Sequence, residues 1–198
     1  AQEWRTEQIL EVGIEIDAPG RLERLPMQLG AGAVYQRARF RPKDTQDFVR
    51  SQYYWYCDIY EFSKKKAAAD DIELPKGVPP ELAEQLKKLM ASSSFHRLTS
   101  FKEWLAEKDQ STITMETNGK ARRGKPGKLD FTHYVWKEKN GFGPCETVYC
   151  EAAVFSMDDR EVALVIEMPL ETEKPGKPKS KWKTLIDRMI PSGKQLDD

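Results

Sequence analysis

Residues 146–170 constrain this chain more than any other stretch. They read ETVYCEAAVFSMDDREVALVIEMPL, two apolar runs rich in β-branched and aromatic residues that meet at Asp158-Asp159. Such runs on either side of a tight acidic turn predict two strands of one hairpin, over about 148–155 and 162–168. A Pro/Lys linker follows, and then SKWKTLIDRMIPSG. In it Trp182, Leu185, Ile186, Met189 and Ile190 recur at i, i+3, i+4, i+7 and i+8, the single apolar stripe of a helix, stopped by Pro191 and Gly193. A strand pair needs a cover and an amphipathic helix needs a surface, so this helix is expected to close one face of a sheet.

The rest of the chain supplies more strands. Leu10, Val12, Ile14 and Ile16 alternate with Glu11 and Glu15, which predicts one half-buried strand over 9–17, ending at an Ala18-Pro19-Gly20 turn. A strand over about 33–41 is stopped by Pro42. The segment 51–62, SQYYWYCDIYEF, places Trp55, Cys57 and Ile59 on one face and Tyr54, Tyr56, Tyr60 and Phe62 on the other. Bulk on both sides marks a central strand covered twice. After a polar excursion, Pro80 opens a helical pattern with Leu82, Leu86, Leu89 and Met90. Ser100 and Glu103 then form a capping box ahead of Trp104 and Leu105. A short polar strand over 111–117 precedes the loop GKARRGKPGK at 119–128. Leu129, Phe131, His133 and Val135 alternate in a strand reaching about 137, and Asn140-Gly141 is a turn signal. The short connections favour antiparallel pairing.

A chain of 198 residues can bury a core as one domain. Its 32 basic and 32 acidic side chains cancel, so no global field favours nucleic acid or an anionic membrane. Five Trp, seven Tyr and eight Phe argue against disorder. No apolar run approaches the roughly 20 residues that span a bilayer. Ala1-Gln2, small and without a leader, fits the cut end of a signal peptide; the expectation is an exported, periplasmic or extracellular protein, with a cytoplasmic one as the alternative.

The order of elements resembles the PsbP-like superfamily of α/β/α sandwiches, through GIEIDAPGRLERLP, FKEW, EAAVFSMDDREVALVIEMP and RMIPSG. The resemblance spans about residues 12–192 and implies an α+β fold: a largely antiparallel six- to seven-stranded sheet sandwiched by helices, as one domain over 1–198. The superfamily includes photosystem II extrinsic proteins and a Ran-binding regulator of nuclear import, with bacterial relatives tied to envelope or secretion components. It implies partner binding more than catalysis, and it carries no catalytic, cofactor or metal residue to a position here.

Candidate sites are few. Lys120, Arg122, Arg123, Lys125 and Lys128 put five cations in ten residues with no acid among them. That patch could steer an acidic protein partner. It lacks the spacing of a phosphate loop, and no aromatic interleaves with it to stack a base, which disfavours nucleic acid; a peripheral membrane contact stays open. Lys174, Lys177, Lys179, Lys181 and Lys183 form a second basic run. The tyrosine face of 51–62 is a candidate interface, although core packing explains it too. Cys57, Cys145 and Cys150 are candidates for one disulfide or for free thiols, and with only His96 and His133 in the chain they make no zinc site. The expected function is a non-enzymatic protein-binding or assembly module with no cofactor. Two alternatives stand beside it: a hydrolase or transferase pairing Cys150 with His133, and a carrier of a small apolar ligand.

Overall fold

The computed structural model describes residues 3–26, 35–43, 55–65, 79–92, 98–139, 147–169 and 180–196; the side chains of 81, 86, 89–92, 169 and 180–182 fall outside that description. Among the described residues, ten strands and three α-helices run in the order β1 (Trp4–Ile9), β2 (Ile14–Pro19), β3 (Leu22–Arg24), β4 (Gln36–Pro42), β5 (Tyr56–Ser63), α1 (Pro80–Ser92), α2 (Phe101–Ala106), β6 (Ile113–Arg122), β7 (Phe131–Lys139), β8 (Thr147–Ser156), β9 (Arg160–Pro169), α3 (Ser180–Met189), a 3-10 turn (Ile190–Ser192) and β10 (Lys194–Gln195). Seven strands make one sheet in the order β3-β4-β5-β9-β8-β7-β6, and β1-β2-β10 make a small second sheet. Every pairing is antiparallel. The expected α+β class and helix-covered antiparallel sheet are therefore present.

The predicted hairpin is β8–β9, in unbroken register from Val148↔Pro169 to Ser156↔Glu161. Its turn closes where the Met157 amide donates to the Arg160 carbonyl at 2.8 Å. Alternation along β5 separates two cores, as a twice-covered strand requires. Trp55, Cys57 and Ile59 join Phe155, Leu164 and Ile166 and are covered by Ile186 and Met189 of the closing helix and Ile190 of the 3-10 turn after it. Tyr60 and Phe62 join Tyr134, Trp136, Cys150 and Val165 under Phe101, Trp104 and Leu105 of α2. The tyrosine face is thus core at Tyr60; Tyr56 lies under the Arg39 guanidinium, 4.5 Å from its ring centre, and Tyr54 lies outside the described residues. The small sheet contributes Ile9, Val12, Ile14 and Ile16 to the α3-side cluster, so both sheets share one apolar interior.

The strand expected over 9–17 is two strands. Residues 10–13 turn back, with Gly13 at φ +66°, where a Cβ would be strained. Leu10, at the tip, is 74% exposed. The alternation misled because Val12, Ile14 and Ile16 do share a buried environment while belonging to a turn and its following strand. Pro19 closes β2 and Gly20, at φ +76°, makes the bend. Leu82 of α1 is exposed, and its partners on the expected stripe, Leu86, Leu89 and Met90, lie among the side chains not described. Half of the expected capping box forms at α2: the Glu103 amide donates to Ser100 Oγ at 3.2 Å, while Glu103 Oε2 accepts the amide of the preceding residue, Thr99, at 2.7 Å.

Gly193 follows the 3-10 turn and lies against Phe155. A Cβ built there would sit 2.3 Å from the Phe155 ring. Gly193→Ala is therefore expected to displace a buried ring and cost about 1–3 kcal/mol, read as a lower urea midpoint with an unchanged slope. Because the two sheets share a core, wild type should unfold in one cooperative transition by both circular dichroism and tryptophan fluorescence.

Candidate partner-binding edge

β6 is an outer strand of the seven-stranded sheet. Its first half alternates, with Ile113, Met115 and Thr117 half-buried between exposed neighbours; from Asn118 to Arg122 every residue is exposed. The change falls at two register shifts against β7, between Met115 and Thr117 and between Asn118 and Lys120. Gly119 lies in the second, at φ +75°, and a Cβ there would come 3.3 Å from the Tyr134 hydroxyl. Bulges of this kind twist an edge strand away from the sheet and protect it from pairing with another strand.

The strand expected to end at 117 continues through Lys120 and Arg122, which pair with His133 and Phe131. Polar sequence concealed it, since an edge strand facing water needs no apolar alternation. The turn that follows is set by Pro126-Gly127: the Lys128 amide donates to the Lys125 carbonyl at 2.8 Å and Gly127 sits at φ +77°, the positions that Pro and Gly favour in a type II turn. The base of the loop is fastened. The Gly124 amide donates to Asp130 Oδ1 at 2.9 Å, the Leu129 amide to the Gly193 carbonyl at 2.8 Å, and Lys128 Nζ lies 3.6 Å from Asp17 Oδ1. The hairpin is built into the body of the protein.

Four of the five predicted cations, Lys120, Arg122, Arg123 and Lys125, are exposed, and among the described residues none has a carboxylate within ion-pair reach. Lys128 is half-buried and engaged by Asp17. Of the second basic run, residues 174–179 lie outside the described residues, as does the Lys181 side chain. Lys183 is occupied by Glu151 Oε2 at 3.2 Å and by Asp187.

Lys183 belongs to a polar cluster beneath α3. Glu151, 3% exposed, meets His133 Nε2 at 2.7 Å and accepts the Tyr149 hydroxyl at 3.1 Å. Burial raises the Glu151 carboxyl, but the His133 contact and the Lys183 charge outweigh it and leave the carboxyl below its usual range. Burial and the neighbouring Glu151 charge act together and push the Tyr149 phenol far up. His133 Nδ1 is buried and has no hydrogen-bond partner among the described residues.

The Cys150–His133 pair does not form. His133 stands opposite Ala153, on the α3 side with Phe131 and Val135, while Cys150 stands opposite Trp136 on the α2 side. Burial pushes the Cys150 thiol well up, with Glu167 adding to it, the reverse of an activated nucleophile. Cys57 and Cys150 are free thiols, and since they belong to opposite cores they do not bond each other. Cys145 and His96 lie outside the described residues. Among the described residues no group of three or more His, Cys, Asp or Glu could hold a metal ion, and no helix is long and apolar enough to cross a membrane.

No family model matches the chain, and no curated protein does. Among solved structures it is similar to cyanobacterial PsbP (CyanoP) from Synechocystis sp. PCC 6803, at 13% identity over 99% of this chain and 94% of that one, with a TM-score of 0.48. It is also similar to a protein from Bacteroides thetaiotaomicron VPI-5482, at 8% identity and a TM-score of 0.42; the chain spans 49% of that protein's length, about half. Both TM-scores are below 0.5, so no role of the site is taken from either.

Two outcomes follow for the site. Native protein treated with a maleimide and mapped by peptide should show Cys57 and Cys150 unmodified until denaturant is added; rapid native labelling of Cys150 would contradict its burial. Lys183→Met should destabilise by about 1 kcal/mol at neutral pH, since a charged hydrogen bond to a buried carboxylate is lost but Lys183 is partly solvated. Glu151 has a depressed carboxyl, so its stabilisation is present above the unfolded value near 4 and lost as pH falls through the folded one. The gap between wild type and Lys183→Met should therefore close in acid.

Proposed function

We propose that this chain is a non-enzymatic protein-binding module whose contact surface is the hairpin carrying Lys120, Arg122, Arg123 and Lys125. One observation carries the reading: four exposed cations, without carboxylate partners among the described residues, stand on a hairpin whose base is fastened to Asp17, Asp130 and Gly193. On a chain with no net charge, such a patch creates a local positive field. A fixed base lowers the ordering cost of binding. The partner that fits is an acidic protein surface. Bulges along β6 speak against a partner strand that extends the sheet, so the contact is through side chains. The enzyme alternative has lost its named pair, since Cys150 and His133 face opposite sides of the sheet.

The test is capture by wild type beside the quadruple variant K120E/R122E/R123E/K125E, in low salt and in roughly 0.5 M salt, where exposed charges are screened. A partner that binds wild type, is lost from the variant and is released by salt supports the proposal. A variant that keeps every partner sinks it. Vesicles of neutral lipid with and without anionic lipid form the second arm; binding that follows the lipid would replace the protein partner with a membrane surface. The expected export belongs to the same proposal, and fractionation of cells expressing the native gene should place the protein outside the cytoplasm.

A further inference from the structure

Two carboxylates, Asp58 and Glu151, are almost wholly buried among the described residues, on opposite faces of the sheet. Their surroundings differ. Glu151 is met by Lys183, His133 and the Tyr149 hydroxyl. Asp58, with 2% of its side chain exposed, has the Gln36 amide at 2.9 Å and Arg39 Nε at 3.4 Å. Arg39 is shared, because its other arm lies 3.9 Å from Glu167 Oε2.

The cluster spans the α2 side of the sheet. β4 supplies Gln36 and Arg39, β5 Asp58 with Tyr56 and Tyr60, β9 Glu167, β8 Cys150 and β7 Glu138, while Lys108 reaches in from the turn after α2. Lys108 is held by Glu138 at 3.0 Å and sits 4.8 Å from the Trp104 ring centre. Burial keeps Tyr60 and Cys150 neutral. Two cations, Arg39 and Lys108, thus face three carboxylates, Asp58, Glu167 and Glu138, in a partly dry space. Low dielectric penalises the uncompensated charge, and one proton removes it.

We propose that Asp58 and Glu167 hold one proton between them near neutral pH, and that its loss loosens β4 from β5. The direction of titration agrees. Burial, then the Glu167 charge, raises Asp58 to about 7 against the pull of Arg39 and Gln36. Glu167 keeps 28% of its side chain exposed, yet desolvation still raises it. The folded value lies above the unfolded one, so the stabilisation is complete below about 4 and is lost as pH rises through about 7.

β4 is the strand placed to yield. Its outer neighbour is the three-residue β3, and its pairing with β5 is irregular between Gln36 and Ala38. Water can hydrate an ionised Asp58 if that rim opens. The pair is independent of the basic hairpin, which lies at the other edge of the sheet.

The experiment combines carbon-13 titration of side-chain carboxyls with native-state amide exchange, divided by intrinsic rates, in wild type, Asp58→Asn and Glu167→Gln. One carboxyl of the pair should titrate near 7 in wild type. The opening constant of β4 amides should rise, by at most about tenfold per pH unit for one proton, across the titration while β8 amides stay flat. Asp58→Asn should abolish that rise, and Glu167→Gln should lower the Asp58 midpoint. The proposal is overturned if both wild-type carboxyls titrate below about 5, if Glu167→Gln leaves the midpoint in place, or if β4 opening keeps its pH dependence in Asp58→Asn. The wild-type titration decides the matter even where a variant fails to fold.

Discussion

The Ser192 hydroxyl donates to the Met189 carbonyl at 2.6 Å and accepts the Asp17 amide at 2.9 Å, and the adjoining Gly193 carbonyl accepts the Leu129 amide at 2.8 Å. These bonds join the end of α3, the small sheet and the root of the basic hairpin at one buried junction. Ser192 satisfies a backbone carbonyl left over at the helix end and an amide of β2 with one small side chain, which a buried polar group must do to be tolerated. Gly193 is required because its place is taken by the Phe155 ring. The junction also explains how a two-residue β10 persists: Lys194 and Gln195 pair with Glu15 and Ile14 directly after it.

From that junction the two faces of the large sheet take different characters. The α3 face is sealed by Ile186, Met189 and Ile190 and encloses Glu151 with cationic and hydroxyl partners. The α2 face is sealed by an aromatic stack in which Phe101 and Trp104 lie 5.3 Å apart and Phe101 meets Tyr134 at 5.1 Å. It encloses Asp58 with a shared arginine. The same sheet therefore holds one carboxylate that prefers its charge and one that resists it. Neither is presented to solvent as a reactive group. At the surface, the cations of the β6 edge have no carboxylate partner among the described residues, and the proposed association rests on them.

Much of this architecture was legible in sequence where burial imposes a period. β8, β9 and the stripe of Ile186, Met189 and Ile190 follow from apolar spacing, and the split of β5 between two cores follows from its parity. Ser100 and Glu103 announced α2. Legibility failed where burial and period part company. Val12, Ile14 and Ile16 look like one strand because a turn residue happens to point into the same core. The far half of β6 looks like loop because an exposed edge has no apolar face. The basic hairpin was visible as charge, but its anchorage to Gly193 and Asp17 depends on residues far away in sequence. The Asp58–Glu167–Arg39 cluster was invisible, since it exists through the register of β4, β5 and β9 alone.

The cationic hairpin is an ordered surface held by the C-terminal junction. Native-state amide exchange at Leu129 and Asp17, the two donors into that junction, tests it most directly. Both amides should be protected, and Ser192→Ala should accelerate exchange at both together, because one junction holds them. Exchange of Leu129 at the rate of an unstructured peptide, in protein whose β8 amides remain protected, would contradict it.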